Sequence, residues 1–252
     1  MSLRPPLFSG RWFFAHRVEL ASLIGGIGFL FYLWLDESLL RATGRLLQID
    51  PGAFVRAGYW ALAGANLVAS TIRIWAGGTL GGARMMAVDV QTDALITAGP
   101  YAHVRNPIYL ADIITLAGMG FVVPWPGALL MWALLALVYP RVMAHEEANL
   151  TGKLGEVYVQ FKRHVPRLSW RFSGWHGGHA AGAFSWREGL ENNFIYLPLV
   201  PGFVVCALTG VLWHGVAVGA IGPLGWVALH FWRNFKPGGL ARQDAYDEDQ
   251  AG

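Results

Sequence analysis

Long stretches almost free of charge alternate with short polar segments along the chain. Six apolar windows stand at 18–35, 57–76, 107–123, 125–143, 194–213 and 215–232. Each is close to the ~20 residues an α-helix needs to cross the hydrocarbon of a bilayer. The predicted class is therefore all-α, a polytopic helical membrane protein with about six transmembrane helices. A charge-free turn around Pro124, Pro126 and Gly127 joins the third and fourth windows, and the last pair is joined near His214-Gly215. Pro198, Pro201 and Pro223 can kink the last pair or turn it into re-entrant segments. The first 16 residues, with Trp12, Phe13 and Phe14, read as an interfacial lead-in, and 36–56 as a short polar loop. The 77–94 stretch reads as a loop with some extended structure. The 144–164 stretch has helical spacing with a glycine break near 152–155. Residues 171–191, rich in Gly and Ala, read as a linker along the interface, and the acidic 244–249 as disordered tail. No internal repeat emerges. Four segments follow: 1–56, a core at 57–170, an interfacial linker at 171–193, and a C-terminal hairpin with its tail at 194–252.

Composition agrees with a membrane setting: 54% of residues are hydrophobic and 14% charged, and the mean hydropathy is +0.39. Twelve tryptophans suit anchoring at the bilayer interface. Lys and Arg placement sets the orientation. Arg4, Arg11 and Arg17, the 77–106 loop with Arg84 and Arg105, the basic segment from Lys153 to Arg187, and Arg233, Lys236 and Arg242 all fall on one side. The other side has Arg41, Arg45 and Arg56, offset by Asp36, Glu37 and Asp50. Both termini are expected in the cytoplasm, of a cytoplasmic membrane if the chain is bacterial. The net charge of +3 thus reflects topology. A nucleic-acid partner would call for a basic, aromatic-interleaved stripe on a soluble face, which is missing. Cys206 is the single cysteine, so no internal disulfide forms. The first window is too long for a cleavable signal, and no small-residue cleavage site follows it.

Two polar clusters interrupt this pattern. The first runs from Leu95 to Tyr109 and packs Gly99-Pro100-Tyr101, His103, Val104 and Arg105 ahead of Asn106-Pro107. Asn106 suits an N-cap and Pro107 the first helical position; a capped helix accounts for that pair but not for the residues before it. The second cluster, Arg141, His145, Glu146 and Glu147, lies at the end of the fourth window. If 107–143 forms a hairpin, both clusters meet at one membrane face. Carboxylates are mildly unfavourable at a helix C-terminus, so the pair either serves a ligand or sits in a helix that continues. No His stands at 149, so His145-Glu146 is not a zinc motif, and no metal site is expected. Asp112 lies inside the third window, where an acid is costly; Arg73 in the second is its expected ion-pair partner. Asn66 is expected to tie helices together, and Cys206 to be packed.

Taken together, these blocks resemble the superfamily of isoprenylcysteine carboxyl methyltransferases and phosphatidylethanolamine N-methyltransferases, integral membrane enzymes. The resemblance rests on Leu95-Ile96-Thr97, Gly99-Pro100-Tyr101, Val104-Arg105-Asn106-Pro107 and Tyr109. It continues through Glu146-Glu147, Leu150, Gly155, Tyr158, Phe161 and Val165-Pro166, over roughly 60–170. It implies S-adenosylmethionine as methyl donor in a cytoplasmic pocket. Gly99, Pro100, Tyr101, His103, Val104, Arg105, Asn106, Pro107, Tyr109, Glu146 and Glu147 would hold it. Asn106 stands where the family usually has His, which keeps hydrogen bonding but removes proton shuttling. Phe161 replaces a Tyr and keeps an aromatic wall.

Methyl transfer from an activated donor asks the protein mainly for alignment and exclusion of water. Glu146 and Glu147 are expected on the cofactor's ammonium or ribose hydroxyls, and Arg105 on its carboxylate or on an anionic substrate. Arg141 and Arg163 are further candidates to orient substrate. A protonated amine acceptor would need a base, for which Glu147 is the candidate; a carboxylate acceptor would need none. The acceptor is expected to be lipophilic: a prenylcysteine-type carboxylate, a phospholipid amine or a hydrophobic thiol. Two alternatives stand: an NADPH-dependent membrane reductase of the sterol-reductase type, and a non-catalytic member of the fold. Oligomeric state is open.

Overall fold

The computed structural model describes residues 6–81, 95–175, 177, 184–191, 193–225 and 228. The described residues are helical, with turns and no β-strand. Most of the 77–94 stretch, the middle of the 171–191 linker, the end of the sixth window and the acidic tail lie outside them.

Two 30-residue helices organise the rest. The first, α4 (Pro51–Leu80), follows the short α1 (Gly10–Ala15), α2 (Arg17–Ile27) and α3 (Leu39–Leu46). Asp50 caps it, its carboxylate accepting from the amides of Gly52 and Ala53 at 3.3 and 3.0 Å, and Pro51 opens it. Next come α5 (Pro107–Met119) and the second long helix, α6 (Trp125–Leu154). A glycine with φ +57, Gly155, separates α6 from α7 (Glu156–His164), in keeping with the break read from the sequence. α8 (Trp186–Glu191), α9 (Leu199–Thr209) and α10 (Leu212–Gly219) complete the chain. α4 packs against α3, α5, α8 and α9, and α6 against α1, α2 and α5.

Several elements differ from expectation. The fourth window does not end at 143: α6 runs on to Leu154 and carries Glu146 and Glu147 in its interior. The 36–56 loop contains α3. The first and third windows are shorter α-helices that tighten into 3₁₀ turns at Gly28–Leu33 and Gly120–Val122. The last hairpin turns at left-handed Gly210, and His214 falls inside α10. Phe13 and Phe14 do not face outward; at 6% and 5% exposure they join Ile24, Leu116, Met131 and Val138 in the main core. A second core joins Leu40, Val55, Tyr59 and Leu62 to Phe203 and buried Cys206. Among the described residues, α6 alone is both long and apolar enough to cross a membrane; the other apolar helices are shorter.

Asp112 of α5 and Arg73 of α4 form the expected ion pair, with both side chains almost wholly buried. Tyr139 of α6 and Tyr196, just before α9, also hydrogen-bond Asp112. The Arg73 guanidinium lies 4.0 Å from the Tyr196 ring centre, a cation–π contact. Asn66 is buried, but its amide donates to Leu62 O of its own helix at 2.9 Å, so it is not interhelical glue. Removing one partner of a buried pair strands the other, at a cost of about 3–5 kcal/mol. Arg73→Met and Asp112→Leu are each expected to lower the Tm of the detergent-purified protein by on the order of 10 °C, and the double substitution to recover most of that loss. Additive losses in the double variant would contradict the pairing.

Candidate functional site

The two polar clusters do meet, around the carboxylate of Glu147. Glu147 is 2% exposed. Its Oε1 accepts from Arg105 Nε at 3.2 Å, Asn106 Nδ2 at 3.2 Å and Arg167 Nε at 3.0 Å; its Oε2 accepts from Arg167 Nη2 at 2.5 Å. Three chain segments therefore converge on one side chain: the approach to α5, the interior of α6, and the strap after α7.

The strap is laced to the approach segment through the backbone. Arg105 N donates to Pro166 O at 2.9 Å, Arg171 N to His103 O at 3.1 Å and Trp175 N to Ala102 O at 2.9 Å. Arg105 Nη1 donates to Lys162 O and Val165 O at 2.7 and 3.0 Å. His103 stacks on Trp170, ring centres 5.0 Å apart and 4° from parallel, and its Nδ1 lies 2.8 Å from Arg171 O. Beneath the strap, Tyr158, Phe161 and Val165 make a small buried cluster against Leu150 and Trp175. Gly99 adopts φ +58, and a Cβ there would sit 2.7 Å from Thr79 Oγ1 and 2.8 Å from Trp75 Nε1. Only glycine suits that conformation at so close an approach to α4.

Asn106 occupies the N-cap position of α5, yet its side chain does not cap the helix. The amide donates to Glu147 Oε1 and to Arg167 O at 3.3 Å instead. Pro107 opens the helix as expected, and Pro100, Tyr101, Val104 and Pro107 are buried. Glu146, one position before Glu147, turns toward α5, where the Tyr109 hydroxyl hydrogen-bonds it. Its Oε2 is buried without a hydrogen-bond partner.

The two acids differ electrostatically, both lying beyond the apolar 125–143 window. Burial pushes the Glu147 carboxyl up, but the Arg167 hydrogen bond, the charges of Arg105 and Arg167 and the Asn106 amide outweigh it and hold Glu147 below the usual carboxylate range. Burial also pushes Glu146 up, and there the Tyr109 hydrogen bond and Arg17 are too weak to offset it, while Glu147 adds to the rise.

Arg141, expected at this site, is exposed. Its Nη1 donates to Leu137 O at 2.5 Å, and its guanidinium lies 5.8 Å from the ring centre of Phe13. No described contact brings it to Glu147, and Arg163 is likewise exposed on α7. Arg167 is the residue the sequence reading missed. It follows the Val165-Pro166 block directly, and that adjacency was the available signal.

A carboxylate whose pKa is depressed by folding stabilises the fold above its unfolded value, about 4.3, and that stabilisation is lost as pH falls through the lower folded value. The wild type is therefore expected to lose Tm steeply below about pH 4.3. Glu147→Gln should start lower at neutral pH and lose less on acidification. Parallel Tm–pH curves for the two proteins would contradict the clamp.

Residues 59–156 match the family model described as phospholipid methyltransferase. The match runs from Tyr59 in α4, through the approach segment, α5 and α6, to the first residue of α7. The cobalt-zinc-cadmium resistance protein CzcN of Cupriavidus metallidurans is 28% identical over 88 residues, which are 34% of this chain and 40% of that protein. The match thus spans under half the length of this curated relative. No solved structure matches. The family match covers both clusters down to Glu147 and agrees with the resemblance carried by the motifs. Residues 59–156 are thus similar to the phospholipid methyltransferase family, in the superfamily of isoprenylcysteine- and phosphatidylethanolamine-type membrane methyltransferases that the motifs resemble.

Proposed function

We propose that the chain is a polytopic membrane enzyme that uses S-adenosylmethionine to methylate a lipophilic acceptor from the cytoplasmic side. The family match supports methyl transfer, and the length of α6 with the one-sided distribution of Lys and Arg supports the membrane setting.

The observation that carries the cofactor assignment is the orphaned Oε2 of Glu146. Buried carboxylate oxygens are rarely left unpaired. A cationic ammonium or a pair of ribose hydroxyls would satisfy it, and S-adenosylmethionine offers both. The wall opposite would be the approach segment, Gly99 through Pro107 with Tyr109, held against α6 by the Glu147 clamp. Bound there, S-adenosylmethionine would supply a methyl group on sulfonium sulfur, already activated for in-line displacement.

The protein's own residues then position and shield. Glu147 is engaged by Arg105, Arg167 and Asn106, and Arg105 Nε and Nη1 by Glu147 and the strap carbonyls, so they act as positioning residues. Glu147, held below the usual carboxylate range between two guanidiniums, is a weak proton acceptor in this reading. Glu146, raised by burial and hydrogen-bonded to Tyr109, is the better acceptor if the nucleophile is a protonated amine. A carboxylate or thiolate nucleophile would need no base, and the acceptor is either one of these or an amine. Arg141 has no part in this reading. The relative's name refers to cobalt, zinc and cadmium, but among the described residues no three His, Cys, Asp or Glu side chains are grouped to hold a metal ion.

The test is calorimetric titration of the detergent-purified protein with S-adenosylhomocysteine, with NADPH in parallel. Micromolar binding of S-adenosylhomocysteine is expected, weakened at least tenfold in Glu146→Gln and unaffected in Arg141→Gln. NADPH binding without S-adenosylhomocysteine binding would replace this reading with a reductase; binding of neither would overturn an active cofactor site.

A further inference from the structure

Far from the Glu147 clamp, two cavities of opposite character adjoin. The first, about 440 Å³, is polar and lies where α3, the start of α4 and the α9–α10 turn meet; Tyr32, Asp36, Glu37, Arg41, Arg45 and Trp213 line it. The second, about 230 Å³, is apolar and lies between α9, α10 and the α5 end, with Phe29, Met119, Val122, Phe203 and Val216 in its wall. Leu212 lines both. The Tyr32 hydroxyl, on the polar side, donates to Val122 O, on the apolar side, at 2.6 Å. A polar chamber thus opens beside an oily one across a single leucine.

The charges in the polar chamber are unequally engaged. Arg45 is paired with Glu37. The Arg41 guanidinium makes no hydrogen bond or ion pair among the described residues; it sits close enough to Tyr32 and Tyr59 to act on both hydroxyls electrostatically. Asp36, in the same lining, likewise makes no side-chain hydrogen bond or ion pair among the described residues, so a zwitterionic headgroup, with an anionic part for Arg41 and a cationic part for Asp36, is the natural complement. The surrounding surface is apolar: Leu33, Trp34 and Leu46 are 75%, 73% and 82% exposed. Such a rim suits the hydrocarbon–headgroup boundary of a bilayer. The site is also remote from the candidate cofactor pocket. Val55 lines the polar cavity and Trp75 abuts Gly99; on one straight α4 they are separated by roughly 30 Å, about the thickness of a bilayer's hydrocarbon.

We propose that this pair of cavities binds a phospholipid of the opposite leaflet, its phosphate on Arg41 and one acyl chain passing Leu212 into the apolar cavity. At that distance the bound lipid is not the methyl acceptor; the proposal rests on the polytopic membrane setting proposed above and not on the methyltransferase activity. The lipid would fill the seam between the helices matched to the family and α9 and α10, which lie outside the match.

Native mass spectrometry of the full chain, released from detergent with graded dioleoyl phosphatidylethanolamine, dioleoylglycerol or inorganic phosphate, tests it. The phospholipid should bind at least tenfold more tightly than either fragment of its chemistry. Arg41→Gln, an exposed position whose replacement leaves the fold intact, should weaken phospholipid binding about tenfold, and Leu212→Trp, which fills the passage, should do the same. Wild-type affinity in Arg41→Gln would overturn the proposal. So would inorganic phosphate binding as tightly as the lipid, which would mark a free-anion site, or dioleoylglycerol binding as tightly, which would mark a purely apolar one.

Discussion

The carboxylate of Glu147 is the point on which the site depends. A charged group inside a packed helix is costly unless it is paired and its lone pairs are filled. Here the partners come from outside the helix: Arg105 and Asn106 from one segment, Arg167 from another. Neither segment is held by helical hydrogen bonds of its own at these positions, so the acid of α6 fixes both. The backbone bonds from Arg105 to Pro166 and from Arg171 to His103 then extend the register along the strap. Successive residues of an α-helix project about 100° apart. That rotation sends Glu147 to the strap and Glu146 to Tyr109, and gives two adjacent acids opposite electrostatic fates.

The polar interior does not stop at Glu146. Tyr109 meets Tyr139 edge-on with ring centres 6.0 Å apart, and Tyr139 hydrogen-bonds Asp112, which Arg73 and Tyr196 also hold. A line of polar side chains thus threads α6, α5 and α4 between the two buried acid–base centres. Tyr196 brings into it a residue from outside the stretch shared with the family. The C-terminal helices are therefore joined to the family core by hydrogen bonding as well as by the apolar contacts of Phe203 and Cys206 with Leu62 and Tyr59.

How much of this the sequence discloses depends on whether a residue's requirement is local. An acid in an apolar helix needs a cation at a matching depth, so Arg73 could be named for Asp112 in advance. The glycine at 155 and the proline at 107 act on their own backbone, and both behaved as read. The failures were of another kind. Phe13 and Phe14 look the same in sequence whether they meet lipid or the side of α6, and only the tertiary packing decides. Hydropathy falls at 143, and a helix whose acids are held by external cations shows no apolar signal beyond that point. Arg167 counted only as one of many positive charges, because its partner lies 20 residues away on another helix. Arg141, nearer to Glu147 in sequence, is exposed and lies by Leu137 O and the Phe13 ring.

Asn106 puts the clamp's chemistry most sharply. Where the resemblance implies His, this chain has an amide, which cannot carry a proton near neutral pH. The geometry asks for something else at this position: two N–H donors from one short side chain, one to Glu147 Oε1 and one to Arg167 O. A primary amide has two such hydrogens on one nitrogen, whereas a neutral imidazole has a single N–H. Asn106 therefore satisfies both acceptors without carrying charge, and the two arginines already balance the carboxylate. The departure from the family residue removes no proton path that this arrangement uses, since Glu147 is held ionised and the orphaned oxygen belongs to Glu146.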